Sequence, residues 1–397
     1  MSETRGGVLG IGIIGCGNIA ARMHLPAWQE LGDLVRVVSV ADPDPDARER
    51  LRTSAGLSVA DAHADAADLI ARTDVHILDV CTPQAFRRDV LVAGARARKH
   101  ILCEKPLATT PADAAAAVEA AEESGTLLAI VHNYATLPEV AATQAVIESG
   151  EIGTVRSVMV NMLGVVYEAG AAGDWRRDPA LAGGGVLTDL IHGVYQAEAL
   201  VGEPIRRVSA HVSAPGPDWR VEDFAACVFE TDHRVALVNI GWGFGPGGTS
   251  VTGSKGRIDI RFEDGGTPPW ANLEHVRVTT ASGTREVLGP ASRRRIGLGD
   301  FPSHTIAFAS IARAFAEAAH GRGQPMATGA DGLRALEATI GAYVSAATGR
   351  TVPIPLDRES APFRRGALGV PDVASVNWSP FAGTRLFRSE LDMERSS

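Results

Sequence analysis

The sequence predicts an α/β protein, with a doubly wound parallel sheet in its N-terminal domain and an α+β C-terminal domain. Apolar strand-like runs alternate with helical patterns as far as about residue 135, and this alternation is typical of right-handed βαβ units. After Glu151 the pattern changes to strands of alternating apolar and polar residues, which is typical of mostly antiparallel sheets. A chain of 397 residues with 45% apolar residues can form two such domains.

Composition and charge argue against several classes of protein. The net charge is −9 with interspersed signs, which disfavours nucleic acid or an anionic membrane as the main partner. We expect no transmembrane helix, because no run of about 18 apolar residues occurs. We also expect no signal peptide, because the residues before the first strand are few and polar. The four cysteines lack the spacing of a disulfide framework or a zinc site. We therefore expect buried thiols, no metal and a cytoplasmic location.

The first strand and the turn after it carry a dinucleotide-binding pattern. Residues 8–14 are nearly all apolar, as in a strand buried on both faces of a parallel sheet. Gly15, Gly17 and Ala20 follow in a Gly-x-Gly-x-x-Ala arrangement, with Asn18 and Ile19 between them. The first glycine permits the tight turn, and the second lets a pyrophosphate approach the backbone at the start of the next helix. Alone, such a motif is a weak signal.

An acidic residue at the end of the second strand strengthens the prediction. The strand Val35–Ala41 ends in Asp42, where a carboxylate can accept hydrogen bonds from the adenosine ribose hydroxyls. No arginine that could bind a 2′-phosphate follows it directly, so we expect NAD, with NADP as the weaker possibility. The alternative for Asp42 is a cap of the next helix.

The rest of the N-terminal domain places polar residues at strand ends. Helical patterns are predicted at about 44–55 and 62–71, and strands at Val75–Cys81, His100–Cys103 and Leu127–Val131. Parallel strands direct their carboxyl ends to one edge, and ligands bind in the crevice outside that edge. The residues expected there are Gly15, Asp42, Thr82, Lys105 and Asn133.

The second domain is predicted as strands interrupted by few helices. Strands are expected at Val155–Val166, Ile205–Val212, Asp223–Glu230, Arg234–Trp242, Gly256–Phe262 and Val276–Thr280. Helices are expected from near Gly185 to about Val201, and over Phe301–His320 and Ala330–Thr348. The residues from 357 to 397 read as an ordered tail that wraps over the body, with a frayed terminus as the alternative.

At this point the sequence resembles the Gfo/Idh/MocA family of oxidoreductases. The matching motifs are Gly12–Ala20 with His24-Leu25-Pro26, Asp42-Pro43-Asp44, Val80-Cys81-Thr82-Pro83, Lys99–Leu107, Ile147–Gly153, Gly183–Asp189 with His192, and Thr328–Leu336. The combination of Glu104-Lys105-Pro106 with a distant triple glycine, Asp189 and His192 is far more specific than the glycine turn.

The resemblance implies a Rossmann domain at residues 1–135 and a substrate-binding domain at 136–356 with a large open sheet. It implies oligomerisation through that sheet, as a homodimer or homotetramer, and NAD(P) chemistry on sugars or polyols. It also implies that Lys105, Asp189 and His192 form the reactive cluster, with a lysine–proline bond that is often cis. The expected cofactor contacts are Gly15, Gly17, Asn18, Ile19, Asp42, Thr82, Pro83, Arg87, Glu104, Lys105 and Asn133.

The sequence departs from the family pattern at three positions. Arg87 stands where a histidine is common, and Tyr195 stands where an acidic residue is common. The step from Asp189 to His192 is three residues instead of four, although positions i and i+3 still share a helix face.

The residue chemistry fits the oxidation of a secondary alcohol, which needs a base for the hydroxyl proton. His192 suits the base, Lys105 can stabilise developing alkoxide charge, and Asp189 could hold a second hydroxyl or orient the base. Each also has a structural alternative: a satisfied helix histidine, an ion pair of Lys105 with Glu104, and a helix-surface acid.

Aromatic and basic residues are candidates for binding the substrate. Trp175 and Arg176 precede the triple glycine, and they suit a sugar, which presents an apolar ring face and hydroxyl groups. Tyr134 and Trp242 are further candidates. The alternative for this group is a cluster in a surface loop or an interface.

These residues together favour an NAD-dependent oxidoreductase acting on a secondary alcohol or ketone of a sugar, polyol or sugar derivative. Two other classes stay open. One is a glycosidase that uses tightly bound NAD for transient oxidation and elimination, and the other is a regulator that binds NAD and a sugar without turnover.

Overall fold

The chain forms two compact units. The computed structural model describes residues 7–165, 175–215, 219–242, 245, 247–262 and 273–372. The first unit contains the described residues of Met1–Ala108, Asp113–Asn133 and Ala307–Leu333, and the second contains the remainder. Residues 307–333 thus group with the first unit, whereas the sequence predicts one continuous domain over 136–356. Among the described residues, no helix has the length and apolar character needed to cross a membrane.

The first unit is built on a six-stranded sheet in which every pairing is parallel. Its spatial order is β3-β2-β1-β4-β5-β6, so the chain reverses direction between β1 and β4, as in a doubly wound fold. The strands are β1 (Leu9–Ile14), β2 (Val35–Ala41), β3 (Ala62–His63), β4 (Ile77–Val80), β5 (His100–Cys103) and β6 (Leu128–Ile130). All six residues of β1 are buried, as its apolar sequence predicts, and the doubly wound parallel sheet is confirmed.

Helices cover this sheet, and one predicted helix is shorter than expected. The first five helices are α1 (Leu25–Gln29), α2 (Pro45–Ser54), α3 (Ala66–Ile70), α4 (Arg87–Arg96) and α5 (Pro111–Ser124). The prediction of helix over 62–71 is wrong at its start, because Ala62–His63 pairs with β2 as an edge strand. Asp65 then caps α3 by accepting a hydrogen bond from the backbone N–H of Ala67.

The second unit contains a nine-stranded mixed sheet, which confirms the predicted α+β domain. Its order is β14-β13-β12-β11-β7-β10-β9-β8-β15, and β7 and β10 are parallel while the other pairs are antiparallel. The strands are β7 (Val155–Val165), β8 (Arg207–Ser213), β9 (Phe224–Glu230), β10 (Val235–Trp242), β11 (Gly247–Gly253), β12 (Gly256–Phe262), β13 (Leu273–Thr280), β14 (Gly283–Leu288) and β15 (Val352–Pro353).

The sequence pattern does not predict β11, β14 or β15. β11 carries three glycines, which are unfavourable in strands, yet it pairs along β7 on one side and β12 on the other. A β-carbon at Gly248 would lie 2.8 Å from the carbonyl oxygen of Ile260, so this close strand approach requires glycine. Tertiary pairing therefore overrides the local preference.

The remaining helices include a break at the predicted reactive segment. They are α6 (Pro138–Glu148), α7 (Pro179–Ala182), α8 (Val186–Asp189), α9 (His192–Val201), α10 (Pro290–Arg295), α11 (Ser303–Ala319), α12 (Gly329–Thr348) and α13 (Ala361–Arg365). The single helix predicted from Gly185 to Val201 is two helices, since Leu190 leaves the helical conformation. Asp189 ends α8 and His192 begins α9. The described part of the tail buries Phe363 and Val370, and the residues after 372 lie outside the described ranges.

A buried carboxyl group holds the glycine turn that leads into α8. Oε1 of Glu222 accepts the backbone N–H of Leu187 at 2.9 Å and the hydroxyl of Tyr343 at 2.8 Å. The Tyr343 oxygen in turn accepts the N–H of Gly185 at 3.2 Å. A β-carbon at Gly184 would lie 2.4 Å from that hydroxyl oxygen, and one at Gly185 would lie 2.3 Å from the carbonyl oxygen of Glu222. The turn therefore needs glycine at both positions.

The carboxyl group of Glu222 has no counter-ion among the groups that shift its pKa. Burial is the largest effect and raises its pKa to about 7, although hydrogen bonds from Leu187 and Tyr343 oppose the change. Its Oε2 has no hydrogen-bond partner within the described part of the chain. Near neutral pH a substantial share of the folded molecules therefore carries Glu222 in its neutral form.

Replacement of Glu222 by glutamine should change how stability depends on pH. The folded pKa lies above the unfolded value of 4.5, so the stabilisation by the neutral acid is complete below about pH 4.5 and is lost as pH rises through about 7. This loss amounts to a free energy of unfolding on the order of 3 kcal/mol. Glu222→Gln should lack it in urea unfolding measured across this range. Glu230→Gln, at the partly exposed end of β9, is the control, and parallel pH curves for wild type and Glu222→Gln would contradict the assignment.

Candidate active site

The turn after β1 has the backbone geometry that a dinucleotide phosphate requires. Gly15 has a φ of +94°, and a β-carbon there would lie 2.7 and 2.8 Å from the peptide between Cys81 and Thr82, so no other residue fits. A β-carbon at Gly17 would meet nothing within 4 Å. Gly17, Asn18 and Ile19 are exposed at the start of the helical segment that continues into α1. Exposed backbone N–H groups at a helix start suit a pyrophosphate.

Asp42 lies beside this turn and is held in place by backbone groups. Its Oδ2 accepts the N–H of Cys16 at 2.6 Å, and its Oδ1 accepts the N–H of Asp44 at 2.8 Å. The capping residue of α2 is Asp44, whose carboxylate accepts the N–H of Asp46. Each oxygen of a carboxylate can accept a second hydrogen bond, so the half-buried Asp42 keeps acceptor capacity for two ribose hydroxyls.

Arg87 holds the backbone on both sides of Lys105. The guanidinium is buried, and its Nε and Nη2 donate to the carbonyl oxygen of Thr82 at 2.8 and 2.6 Å. Its Nη1 donates to the carbonyl oxygens of Glu104 and Pro106. The peptide bond between Lys105 and Pro106 is cis. These contacts favour a structural role for Arg87, in which it fixes the turn. They do not favour the predicted role, in which Arg87 contacts the cofactor.

Glu104, another predicted cofactor contact, also faces the interior of the first unit. Its Oε1 lies 3.1 Å from Nε2 of His24, and its Oε2 accepts the backbone N–H of Lys105 at 3.0 Å. His24 also lies 2.9 and 3.0 Å through Nδ1 from the two carboxylate oxygens of Asp79. Sequence reasoning missed this cluster, although a charged Asp79 within an apolar strand was a usable signal. His24, Asp79 and Cys81 together resemble a metal-binding set. However, Nδ1 of His24 is already hydrogen-bonded to Asp79.

In the second unit, Asp189 lies between an indole and a guanidinium. Its Oδ2 accepts the Nε1–H of Trp242 at 3.2 Å, and its Oδ1 lies 3.5 Å from Nε of Arg176. The guanidinium of Arg176 also lies over the ring of Trp175, 4.6 Å from its centroid. Three predicted substrate-binding residues, Trp175, Arg176 and Asp189, are thus brought together, with Trp242 beside them.

The imidazole of His192 is oriented by Tyr195 and Tyr134. Nδ1 of His192 lies 2.5 Å from the hydroxyl oxygen of Tyr195, and this oxygen also accepts the backbone N–H of Tyr134 at 3.3 Å. The Tyr134 ring packs on His192 at a centroid distance of 4.3 Å, and on His304 at 4.8 Å. The contact of Nδ1 with Tyr195 fixes the orientation of the ring, and Nε2 is the ring nitrogen on the opposite side. Tyr195 stands where an acidic residue is common in the family that the sequence resembles. It orients the His192 ring without adding a negative charge.

A cavity adjoins Tyr134 within the second unit. Apolar side chains from α6 and the sheet form much of its wall, and Gln196, one helical turn beyond His192, adds an amide. The buried Glu139 also lines it. Its Oε1 accepts hydrogen bonds from Ser303 and Arg293, and its Oε2 has no hydrogen-bond partner among the described residues. Burial raises the pKa of Glu139, and the cavity beside it suits a molecule with an apolar part.

The structure places the predicted site residues in two groups, each within one unit. The first unit holds Gly15, Gly17, Asn18, Ile19, Asp42, Thr82, Pro83, Arg87, Glu104, Lys105 and Asn133, and the second holds Tyr134, Trp175, Arg176, Asp189 and His192. Asn133 is buried directly after β6. Sequence reasoning gave no role to Glu222 or His304, because neither stands in a local motif.

Comparison with known proteins identifies the family. Residues 9–132 match the oxidoreductase family with an NAD-binding Rossmann fold (GFO_IDH_MocA), and residues 140–259 match the GFO/IDH/MocA C-terminal domain. The 1,5-anhydro-D-fructose reductase of Ensifer adhaerens is 28% identical over 355 residues, which cover 86% of this chain and 98% of the reductase. Inositol 2-dehydrogenase 2 of Saccharopolyspora erythraea is 30% identical over 263 residues, which cover 64% of this chain and 73% of the dehydrogenase.

A solved structure with a similar fold agrees with these matches. The structure of levoglucosan dehydrogenase in complex with NADH and levoglucosan has a TM-score of 0.76 and 25% sequence identity to this protein. The similarity covers 88% of this chain and 100% of that chain. The matches of both domains agree with the motifs that the sequence presents. The chain belongs to the Gfo/Idh/MocA family of oxidoreductases, whose N-terminal domain is an NAD-binding Rossmann fold.

Proposed function

We propose that this protein is an NAD-dependent dehydrogenase or reductase that acts on a secondary alcohol or ketone of a sugar, polyol or sugar derivative. The observation that carries the proposal is the arrangement of His192 and Asp189. One nitrogen of the imidazole is held by Tyr195, and the carboxylate is held by Trp242 and Arg176. The relatives named above are, by their names, a reductase of 1,5-anhydro-D-fructose, an inositol dehydrogenase and a levoglucosan dehydrogenase. They support a carbohydrate substrate and do not favour a glycosidase.

The catalytic roles follow from the chemistry of the side chains. In the oxidation direction, Nε2 of His192 accepts the proton of the substrate hydroxyl while Nδ1–H donates to the Tyr195 oxygen. Lys105 donates a hydrogen bond to the substrate oxygen and stabilises its negative charge. Asp189 accepts a hydrogen bond from a neighbouring hydroxyl of the substrate. Bound NAD supplies the two-electron acceptor in this direction.

The cofactor is held by the turn after β1 and by Asp42. Backbone N–H groups at Gly17–Ile19 bind the pyrophosphate, and the carboxylate of Asp42 accepts the ribose hydroxyls. A 2′-phosphate at the same place would be repelled by the carboxylate, so NAD is preferred over NADP. Thr82 lies against the same turn, since the peptide between Cys81 and Thr82 packs on Gly15.

The substrate is recognised by aromatic and polar groups of the second unit. Trp175 and Tyr134 offer ring faces to the apolar face of a sugar, and Arg176 and Asp189 bind its hydroxyl groups. The cavity beside Tyr134 accommodates the part of the substrate that is distant from the reacting carbon. Its largely apolar wall favours a sugar derivative with a reduced number of hydroxyl groups over a fully hydroxylated hexose.

We also propose a homodimer or homotetramer that assembles through the nine-stranded sheet. Along β7, β9 and β10 the residues alternate between buried and partly exposed positions. The partly exposed face includes the apolar side chains of Met159, Val228 and Leu237, and such a face suits an interface. The four cysteines are buried and unpaired, which supports a reducing, cytoplasmic location.

The proposed function is tested by a panel of sugars, anhydrosugars and polyols with NAD or NADP, with absorbance of the reduced cofactor as the readout. We expect turnover with at least one member, because His192 and Lys105 supply the proton transfer and charge stabilisation proposed above. Cleavage of a glycoside without net NADH would support the glycosidase. Tight NAD binding without turnover of any member would support the regulator.

Removal of the Asp42 carboxylate should weaken the preference for NAD. In Asp42→Ala, we expect the KM for NAD to rise by about 10- to 100-fold, since two charge-assisted hydrogen bonds to the ribose are lost. The KM for NADP should change little or fall. Asp46→Ala, in the exposed first turn of α2, is the control and should keep both values. A wild-type enzyme that prefers NADP would contradict the role of Asp42.

Replacement of His192 should affect proton transfer more than cofactor binding. For His192→Gln we expect kcat to fall by about 100- to 10,000-fold, with the dissociation constant of NADH nearly unchanged. Tyr195→Phe keeps the base and loses only its orientation, so kcat should fall by about 10-fold. The exposed His211 of β8 provides the matched control His211→Gln. Wild-type kcat in His192→Gln would overturn the assignment of the base.

A further inference from the structure

The most unusual buried group of the first unit is the imidazole of His24. The residue is 2% exposed, and each of its ring nitrogens faces a carboxylate. Nδ1 lies 2.9 and 3.0 Å from the two oxygens of Asp79, and Nε2 lies 3.1 Å from Oε1 of Glu104. A neutral imidazole has one nitrogen without a proton, and that nitrogen would place its lone pair against a carboxylate oxygen. When both acids are ionised, only the doubly protonated ring satisfies both contacts.

The surroundings of His24 keep both carboxylates as acceptors. The Nε1–H of Trp28 donates to Oδ2 of Asp79 at 2.6 Å, and the thiol of Cys81 lies 3.8 Å from Oδ1. From α11, the ring of Phe308 packs edge-on against the imidazole at 5.0 Å between centroids. Burial is the largest single effect and lowers the pKa of His24, but the charge and hydrogen bond of Asp79, together with the effects of Cys81, outweigh it and raise that pKa well above its usual value.

The same cluster reaches the backbone of Lys105. Burial alone raises the pKa of Glu104, but the hydrogen bond and charge of His24, with the charges of Lys105 and Arg87, hold that pKa below its usual value. The second oxygen of this carboxylate accepts the N–H of Lys105 at 3.0 Å. Arg87 donates to the carbonyl oxygens of Glu104 and Pro106. The peptide groups around Lys105 are therefore held by one anion and one cation, and the anion is itself held by His24.

We propose that His24 acts as a permanent imidazolium that bridges Asp79 and Glu104 and thereby positions Lys105 for catalysis. The proposal deepens the function proposed above and rests on the role given there to Lys105. His24 touches neither substrate nor reacting atoms, so it is a positioning residue. It fixes the rotamer of Glu104, and Glu104 fixes the backbone from which the Lys105 side chain extends.

Replacement of His24 by glutamine should remove the contact to one of the two carboxylates. A glutamine amide can donate to one carboxylate, but its carbonyl oxygen cannot donate to the other. Glu104 then loses its cationic partner, and its hydrogen bond to the N–H of Lys105 loosens. The Lys105 ammonium remains present but is poorly aimed, which lowers kcat more than it raises the KM of the substrate.

The charge of His24 can be measured directly, without cofactor or substrate. In protein labelled with ¹⁵N-histidine, both ring nitrogens of His24 should show imidazolium chemical shifts from about pH 6 to about pH 9. The signals are assigned by their loss in His24→Gln. His100 is the internal reference, because burial and the nearby His76 lower its pKa and its Nδ1 accepts the N–H of Leu127. Neutral-ring shifts for His24 at neutral pH would overturn the proposal.

A double-mutant cycle tests whether His24 acts through Lys105. We expect His24→Gln to lower kcat by at least about 10-fold in the wild-type background, and by less than about 3-fold in Lys105→Ala. The control His100→Gln, on the strand that leads to Glu104, should cost stability and leave kcat unchanged. Multiplicative losses in the two backgrounds would indicate a general structural role for His24 and refute the proposal.

The outcomes separate this proposal from the function on which it rests. If Lys105→Ala retains wild-type kcat, the catalytic role of Lys105 fails, whatever the charge of His24. If Lys105→Ala is inactive and His24→Gln is fully active, only the positioning role of His24 fails. Should His24→Gln not fold, the His24 signals are assigned by their change in Glu104→Gln, since Glu104 contacts Nε2 of His24. The wild-type signals then still decide the charge, and Glu104→Gln replaces His24→Gln in the cycle.

Discussion

The bridge between Asp79, His24 and Glu104 is the interaction on which the backbone around Lys105 in the Rossmann unit depends. It joins the end of β4, the end of the helical segment after β1, and the turn after β5. The desolvation of buried charges offsets most of their mutual attraction, so such a network adds little net stability. Loss of one member is nevertheless costly, at about 3–5 kcal/mol, because it leaves a buried charge without a partner. The network therefore specifies geometry more than it adds stability.

In the second unit, a carboxyl group without a cationic partner also fixes a turn of the backbone. Glu222 accepts the N–H of Leu187, as Glu104 accepts the N–H of Lys105. In both places a buried carboxyl group fixes the backbone beside a proposed catalytic residue. Glu104 has a cationic partner and stays ionised, whereas burial without such a partner raises the pKa of Glu222 to about 7. The two turns should consequently respond to pH in opposite senses: one loses its anion in acid, and the other loses its neutral acid in base.

Local sequence predicted the parts of the fold and site that depend on neighbouring residues. The buried β1, the turn at Gly15 and the acid at the end of β2 all follow from short-range patterns, and the structure shows each of them. Errors arose where tertiary pairing decided the outcome. Ala62–His63 became an edge strand because β2 offered it hydrogen bonds. The glycine-rich β11 became a strand because β7 and β12 flank it.

The sequence by itself determined that the chain has a dinucleotide-binding sheet, an acid for the ribose, and a lysine, a histidine and an aspartate suited to alcohol oxidation. The sheet and the acid follow from residue type and spacing, which a linear chain displays, whereas the choice of the lysine, the histidine and the aspartate follows from the resemblance to the family. Only the tertiary structure decided where the side chains of Arg87 and Glu104 point, and that His24 lies between two carboxylates. The partners of His24 are 55 and 80 residues away in the chain. Hydrogen bonds over such separations depend on how the strands and helices pack, which no local pattern encodes.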